Sequence, residues 1–510
     1  MRDITQEILR RHDILFRETQ QWWDLWQDCA DYVLPNYDIS TRRSPGEKRT
    51  ERIFDSTALH SAELLAASLS GNLTSMSAKW FSLLPRDDSM LNNGSVMSWL
   101  EDCSKRLFRG LATSNFSTEI HESYLELVVF GTACLLAEMN DEGLVFKTYP
   151  IGQYAISENE HGLVDTVFRK YRMTAKNARA RWKKGLPSKI EEAKPDKEFE
   201  FLHAVYPADD GKDYESYWIS VDTKQVLQHG KYLEFPYAVP RWLKVSSESF
   251  GRGPTIFALP DIKTLNKAVE LELRAWSKAI DPPLMVRDDG VIGDVYLRPG
   301  GLTVVRDTDA LKPILGGTQW QATELKKAEI RESIRNIYYY AQLSVPDALR
   351  LSATEVTLRW RMVERLLGSV LGRIESELLS PLIDRTFGLM YRAGMFLPPP
   401  PELEGGQIDI RFESPLAQQQ RETGIAHYDQ FFQRVATAMQ LAGPQILDNF
   451  DMDVIIRNIY TEMGLDPNAK RGEVDVRGIR EDRAAQAAQA QILSAIQQPP
   501  GGGNTGGSPA

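Results

Sequence analysis

Hydrophobic positions recur at helical spacing over residues 3–34, with Phe16, Trp22, Trp23 and Trp26 clustered in the second half and Pro35 as the stop. The aromatic cluster reads as core rather than as a ligand site. Helices are likewise predicted over 56–73, 94–111 and 118–130. From 134 to 257 the period changes. Short alternating or β-branched runs over 144–149, 166–171, 199–205 and 216–221, divided by Gly, Pro, Asn and Asp, predict mainly antiparallel strands. The expected fold class is α+β, predominantly helical.

The stretch from 251 to 394 is the most informative. Gly251-Arg252-Gly253-Pro254 opens a helix whose apolar positions Ile262, Leu265, Val269, Leu273, Trp276 and Ile280 keep spacings of three and four. Asp261 is placed to cap its main part, and Asp281-Pro282-Pro283 ends it. Three short apolar runs, 284–286, 291–297 and 302–305, are joined by Asp288-Asp289-Gly290 and Arg298-Pro299-Gly300-Gly301, which predicts a β-meander. The capping box Thr318-x-x-Gln321 starts a second helix to about Leu343, with the stripe Ile330, Ile334, Ile337 and Ala341. At about 25 residues it is roughly 37 Å long. After a break at 344–347, a second box, Ser352-x-x-Glu355, starts a very long helix with Val356, Trp360, Val363, Leu367, Val370, Ile374 and Leu378 on one face. Pro381 should kink it and Gly394 should end it. Beyond it come a strand over 407–412, helices over 416–441, 445–463 and 484–496, and a Gly/Pro tail from Pro499 that should be disordered. One thin hairpin cannot bury both long apolar stripes, so the pattern itself asks for neighbouring copies of the chain.

Composition narrows the function classes. With 510 residues, 42% of them hydrophobic, the chain is globular and long enough for roughly three domains. Its longest apolar run, 127–137, falls short of the roughly twenty residues that span a bilayer. The start Met1-Arg2-Asp3-Ile4 leads into charge, so no membrane partner is expected and the chain should stay in the cytoplasm where it is made. Cys29, Cys103 and Cys134 show no paired or zinc-type spacing and read as buried free thiols. A net charge of −10 argues against coating nucleic acid, so any DNA contact is local or weak. One segment stands apart. Residues 168–185 carry Arg169, Lys170, Arg172, Lys176, Arg179, Arg181, Lys183 and Lys184 with no acid, interleaved with Tyr171 and Trp182. It looks like a nucleic-acid patch, but a solvated or subunit-facing helix is the better reading, since nothing nearby completes a binding module.

Catalytic motifs are missing. There is no GxxxxGK[ST] loop, and Gly46-Glu47-Lys48-Arg49-Thr50 is only a superficial echo. The histidines form no HExxH pair, there is no GxSxG elbow, and Gly251-x-Gly253 lacks the third glycine of a dinucleotide site. Asp87-Asp88, Asp209-Asp210 and Asp451-x-Asp453 read as solvated turns rather than metal ligands. No enzyme, cofactor or metal is expected.

Five stretches carry a resemblance: Phe54-Asp55-Ser56-Thr57-Ala58 with Trp80-Phe81-Ser82-Leu83; Leu127-Val128-Val129-Phe130-Gly131; Ser249-Phe250-Gly251-Arg252-Gly253; Ser352-Ala353-Thr354-Glu355-Val356; and Glu413-Ser414-Pro415-Leu416-Ala417. In this order, around a helix, β insert, helix, loop and long helix, they resemble the head-to-tail connector (portal) family of short-tailed, podovirus-type bacteriophages over nearly the whole chain. The resemblance implies a wing over 1–253, stem helices over 254–280 and 318–343, a clip over 281–317 and a tunnel loop over 344–351. It further implies a long kinked wing helix with a return strand and helix over 352–443, a crown over 444–498, and the tail over 499–510. It also implies a homo-oligomeric ring, a dodecamer, at one capsid vertex of the virion, through which double-stranded DNA is packaged and ejected. The implied partners are the terminase motor, a tail adaptor or nozzle, the major capsid protein and scaffolding protein.

Under that resemblance Val345, Pro346, Asp347, Leu349 and Arg350 of the tunnel loop are the candidates to meet DNA. Lys326, Lys327, Arg331 and Arg335 on the second stem helix are possible channel-lining cations, although Glu324, Glu329 and Glu332 lie close enough for helical pairing. Arg287, Asp288, Asp289, Arg298 and Arg306 are the clip's partner-docking candidates, and Trp276, Ile330, Ile334 and Ile337 the subunit-packing ones. The competing readings are a DNA-processing enzyme or its non-catalytic DNA-binding subunit, supported by the basic 168–185 segment, and a helical scaffold without DNA contact.

Overall fold

A computed structural model describes residues 2–40, 46–47, 49–77, 79–280, 284–286, 311–313, 320–343, 353–403, 408–412 and 431–437, with scattered positions from 443 to 486. The N-terminal periodicity folds as two helices rather than one, α1 (Arg2–Gln20) and α2 (Trp23–Val33), with a turn at Gln21 and Trp22 between them. Trp22 stacks on Trp26 at 5.8 Å, both rings meet Phe250, and Trp26 is fully buried, so the aromatic cluster is core. Then come α3 (Thr57–Leu73), β1 (Phe81–Pro85), α4 (Gly94–Thr113) and α5 (Phe116–Phe130). Cys29, Cys103 and Cys134 are free and buried.

The region of period two holds β2 (Leu135–Asn140), β3 (Gly143–Thr148), β4 (Tyr154–Glu158), β5 (Val164–Thr174), the short helices α6 (Ala175–Arg181) and α7 (Ser188–Glu191), then β6 (Glu198–Pro207), β7 (Tyr214–Ser220), β8 (Gln225–Tyr232) and β9 (Tyr237–Ala238). Every pairing is antiparallel: β4-β5-β6-β7-β8 form a meander, and β3-β2-β9 a smaller sheet. Alternation along β6 decides what each face buries. Phe199 and Phe201 join Trp182, Ile190 and Trp218 beneath α6 and α7, whereas Leu202 and Ala204 meet Ile8 of α1. The helix expected over 168–185 is corrected here: 168–174 lies in β5, hydrogen-bonded to β6, and only Ala175–Arg181 is helical. Cross-strand pairing overrode the local pattern.

Helix α8 (Pro254–Ile280) runs unbroken through Pro260, so Asp261 is not a cap; it accepts a hydrogen bond from Ser333 Oγ at 2.7 Å instead. β10 (Leu284–Val286) pairs with β11 (Leu311–Pro313), a run the hydrophobic pattern does not single out, while 291–297 and 302–305 lie outside the described residues. The single helix expected to about Leu343 is two: α9 (Trp320–Ile337) and α10 (Tyr340–Leu343), separated where Tyr339 takes φ +57°. The long helix is α11 (Ala353–Ile374) and α12 (Ser380–Arg392), joined by a π-turn at Glu375–Leu379 and followed by Gly394 at φ +69°. The widened turn falls where Pro381 would otherwise press its ring on the carbonyl of residue 377. The strand expected over 407–412 is β12 (Ile408–Phe412). The C-terminal helices and tail lie largely outside the described residues, among which 431–437 is helical.

The chain divides into two units, Met1–Trp80 with Leu107–Met395, and Phe81–Arg106 with Phe396–Ala510. In the second, β1 pairs antiparallel with β12, Ser104 Oγ accepts from the Leu83 amide at 3.1 Å, and Trp99 Nε1 donates to the Leu397 carbonyl at 2.8 Å.

Candidate functional site

Two of the sequence stretches singled out above touch backbone to backbone in the larger unit. Gly131 ends α5 at φ +84°, and a Cβ there would lie 2.3 Å from the Gly253 amide nitrogen. A Cβ on Gly251 would meet the Gly131 carbonyl at 2.4 Å, and one on Gly253 the Val128 carbonyl at 2.5 Å. No side chain fits at any of the three positions, which is why glycine recurs here. Hydrogen bonds close the joint: Thr132 Oγ1 accepts from the Gly251 amide at 2.8 Å, and Thr255 Oγ1 donates to the Val128 carbonyl at 3.2 Å. Helix α8 therefore starts from a fixed root.

The partners across α8 and α9 run antiparallel. Tyr338 donates to Thr255 Oγ1 (2.7 Å), Ser333 to Asp261, and Lys327 to Glu272, with Glu324 on the other side of the Lys327 ammonium at 2.5 Å. Burial alone would lower the Lys327 pKa, but its two carboxylates raise it, so it stays charged. The stretch at 54–58 buttresses the same hairpin. Asn266 Oδ1 accepts from the Phe54 and Asp55 amides at 2.7 and 3.0 Å, and Arg331 Nε donates to Asp55 Oδ2 at 2.9 Å. Burial would raise the Asp55 pKa, yet bonds from Thr57 and Arg331 hold it below the ordinary carboxylate value.

A third node fixes the long helix. The Arg241 side chain is fully buried and grips Glu377 of the π-turn through Nη2 (2.7 Å) and Nε (3.1 Å). It also donates to Glu158 and to the carbonyls of Gly162 (2.7 Å) and Ser249 (3.2 Å). Lys244 shares Glu158 at 2.5 Å. Such a paired, fully bonded guanidinium is tolerated in the interior, and removing one partner strands the other. The residues gathered here position helices. Among the described residues no group of three or more His, Cys, Asp or Glu could hold a metal, and no helix is long and apolar enough to cross a membrane.

The family model described as bacteriophage head to tail connecting protein matches residues 5–469. The chain belongs to that family. Relatives of this connector include a probable portal protein of Bordetella phage BPP-1, 28% identical over 520 residues, covering 96% of this chain and 93% of the relative. The portal protein of Salmonella phage epsilon15 is 27% identical over 537 residues, covering 98% and 95%. Among solved structures, a chain in the neck of an empty gene transfer agent particle has 12% identity and a TM-score of 0.34, covering 72% of this chain and 84% of that one. A chain in the native gene transfer agent virion has 13% and 0.34, covering 79% and 92%.

Within the connector, the candidate stem cations divide. Lys327 is buried between two carboxylates of its own chain, and Arg331 is held by Asp55, which removes both from the set free to line a channel. Lys326 is exposed and pairs with Glu329 at 3.0 Å; Arg335 is exposed, with its guanidinium 5.4 Å from the Tyr340 ring. Of the packing candidates, Ile334 is fully buried by its own chain, Ile330 and Ile337 are half-buried, and Trp276 is half exposed. Val345, Pro346, Asp347, Leu349 and Arg350, and the clip residues Arg287, Asp288, Asp289, Arg298 and Arg306, lie outside the described residues. Asp87 and Asp210 accept from backbone amides two residues on, as turn residues do. Sequence reasoning missed Arg241, Glu377, Glu158 and Asn266. Nothing local marks them, because the pairs Arg241–Glu158, Arg241–Glu377 and Asn266–Phe54 join residues 83, 136 and 212 positions apart.

Proposed function

We propose that this connector is a portal subunit, copies of which close into a ring at one capsid vertex through which double-stranded DNA is packaged and ejected. The observation that carries the reading is the apolar stripe of α8. It is buried at Ile262 and Leu265, 47% exposed at Leu273, 51% at Trp276 and 84% at Ile280. On α9, Leu325 near the same end is 69% exposed, whereas Ile334 near the root is buried. Among the described residues the hairpin is thus buried at its root and exposed towards its far end. Apolar surface is worth roughly 25 cal/mol per Å² when removed from water, and a closed ring covers the same patch on every copy. The names of the two phage relatives point the same way.

In this reading α8 and α9 are the stem, 281–317 the clip that receives the motor and later the tail adaptor, and 344–351 the loop facing DNA. The body of the chain is the wing, and 444–498 the crown. The subunit is structural rather than catalytic and resides in the virion at the head-tail junction, with capsid and scaffolding proteins as neighbours. Of the four α9 candidates, Lys326 and Arg335 are left to meet the duplex. Sparse cations suit this role, because a uniformly basic lining would hold DNA with strong salt dependence. Native mass spectrometry and negative-stain images of the purified chain test the reading. Closed rings of about twelve copies with an axial hole are expected, and only monomers or dimers would overturn it.

A further inference from the structure

Between Ala175 and Lys197 lie eight cations and three acids, in a chain of net charge −10. The fold gathers them into one lobe, where α6, α7 and their connecting turn cap a sheet face over Trp182, Ile190, Phe199, Phe201 and Trp218. The lobe is tied down from beneath: Trp182 Nε1 donates to Gln228 at 3.2 Å, Arg179 to the Ala193 carbonyl, and Thr174 Oγ1 accepts from the Asn177 amide at 3.4 Å. Its charges therefore stand on a fixed support.

The upstream cations of the basic segment are engaged by their neighbours. Lys170 and Arg172 both pair with Glu200, and the Arg169 guanidinium lies 3.6 Å from the Tyr149 ring and 4.1 Å from that of Tyr171. The downstream lysines are not. Lys176, Lys183, Lys184, Lys189 and Lys194 are exposed, and none has an ion pair among the described residues.

The chemistry of the lobe selects its partner. Protein interfaces are built around apolar, aromatic or Arg anchors and are depleted in Lys. Among the described residues no large apolar side chain is exposed between Leu163 and Leu233, so the lobe offers charge without an anchor. Lysine ammoniums on flexible stems are point charges that meet phosphate oxygens at variable positions, without the fixed fork of Arg. We propose that the α6–α7 lobe is a sequence-independent contact for the phosphate backbone of double-stranded DNA, separate from the stem hairpin. It rests on the portal reading only for where the duplex comes from.

The test is fluorescence anisotropy of the full-length chain with a labelled duplex of mixed sequence, titrated with salt. Combining Lys176→Gln, Lys183→Gln, Lys184→Gln and Lys189→Gln should weaken binding and flatten the slope of log K against log salt by about 0.9 per lost contact, up to about 3.6. The four corresponding Lys→Arg changes should keep the wild-type slope, which separates lost charge from lost folding. An unchanged slope in the Gln variant, or no duplex binding by wild type at low salt, overturns the proposal. So does poly-glutamate competing as well as duplex at equal charge, which would assign the lobe to an acidic protein. Native mass spectrometry of the same samples keeps the two readings apart. Intact rings with an unchanged slope sink this inference alone, whereas a lysine effect without rings sinks the portal reading and leaves this one standing.

Discussion

Glu126 lies on α5, little more than one turn before the Gly131 joint, with both carboxylate oxygens buried. Burial drives its pKa well above the ordinary glutamate value; Tyr37 and the Ile151 amide oppose the shift, and Glu122 adds to it. Burial in the folded chain therefore favours the neutral carboxyl over the carboxylate. Below the unfolded pKa of about 4.3, both states are protonated and the residue adds no pH dependence. Above it the unfolded state ionises while the folded state does not, so stability falls as pH rises, by at most about 1.4 kcal/mol per unit until the folded pKa is reached. Glu126→Gln removes this dependence. Thermal melts at about pH 5 and about pH 8 should show a larger gain at the higher pH; the same gain at both would mean that the carboxyl is already ionised in the fold.

Among the elements, the π-turn between α11 and α12 shows how one irregularity serves packing. The extra residue of a π-turn widens the helix ahead of Pro381, and that widening aims Glu377 at the buried Arg241. Deleting the exposed Ser376 should restore an ordinary turn, leave α12 in register and pull Glu377 off Arg241. Stranding that buried guanidinium should cost about 3–5 kcal/mol, measured by denaturant unfolding, while Ser376→Ala stays within about 0.5 kcal/mol. A deletion as benign as the alanine would show that the turn does not position Glu377. Pro381 made an irregularity legible in the sequence, but not its form. A kink and a π-turn answer the same steric conflict, and the buried pair 136 residues apart in sequence is what singles out the turn. The breaks at Gln21–Trp22 and Tyr339 were illegible for a related reason: helical spacing continues across both, and tertiary packing decides where a periodic run bends.

For the whole molecule, an apolar stripe buried at its root and exposed at its far end gives a contrast that two variants can read. Ile334→Asp buries an unpaired carboxylate inside the subunit and should cost several kcal/mol, lowering the melting temperature even where no ring forms. Leu273→Asp with Ile280→Asp alters positions the chain leaves exposed. The subunit should fold and melt as wild type does under dissociating conditions, yet fail to close rings in native mass spectrometry. Rings that persist in the double variant would mean that this end of the hairpin does not pack against a neighbour.

The hydrophobic pattern by itself determined the alternation of helix and strand, the antiparallel character of 134–257 and the position of the long hairpin. Those features follow from local periodicity and from turn residues, and both are written in adjacent positions. Only the tertiary structure decided that Gly131, Gly251 and Gly253 meet, that Lys327 and Arg331 serve their own subunit, and that Lys170 and Arg172 of the basic segment pair with Glu200. Charges and close backbone approaches are settled by neighbours far away in sequence. A window of residues can show that a cation is present but not whether a carboxylate from another strand or helix will reach it.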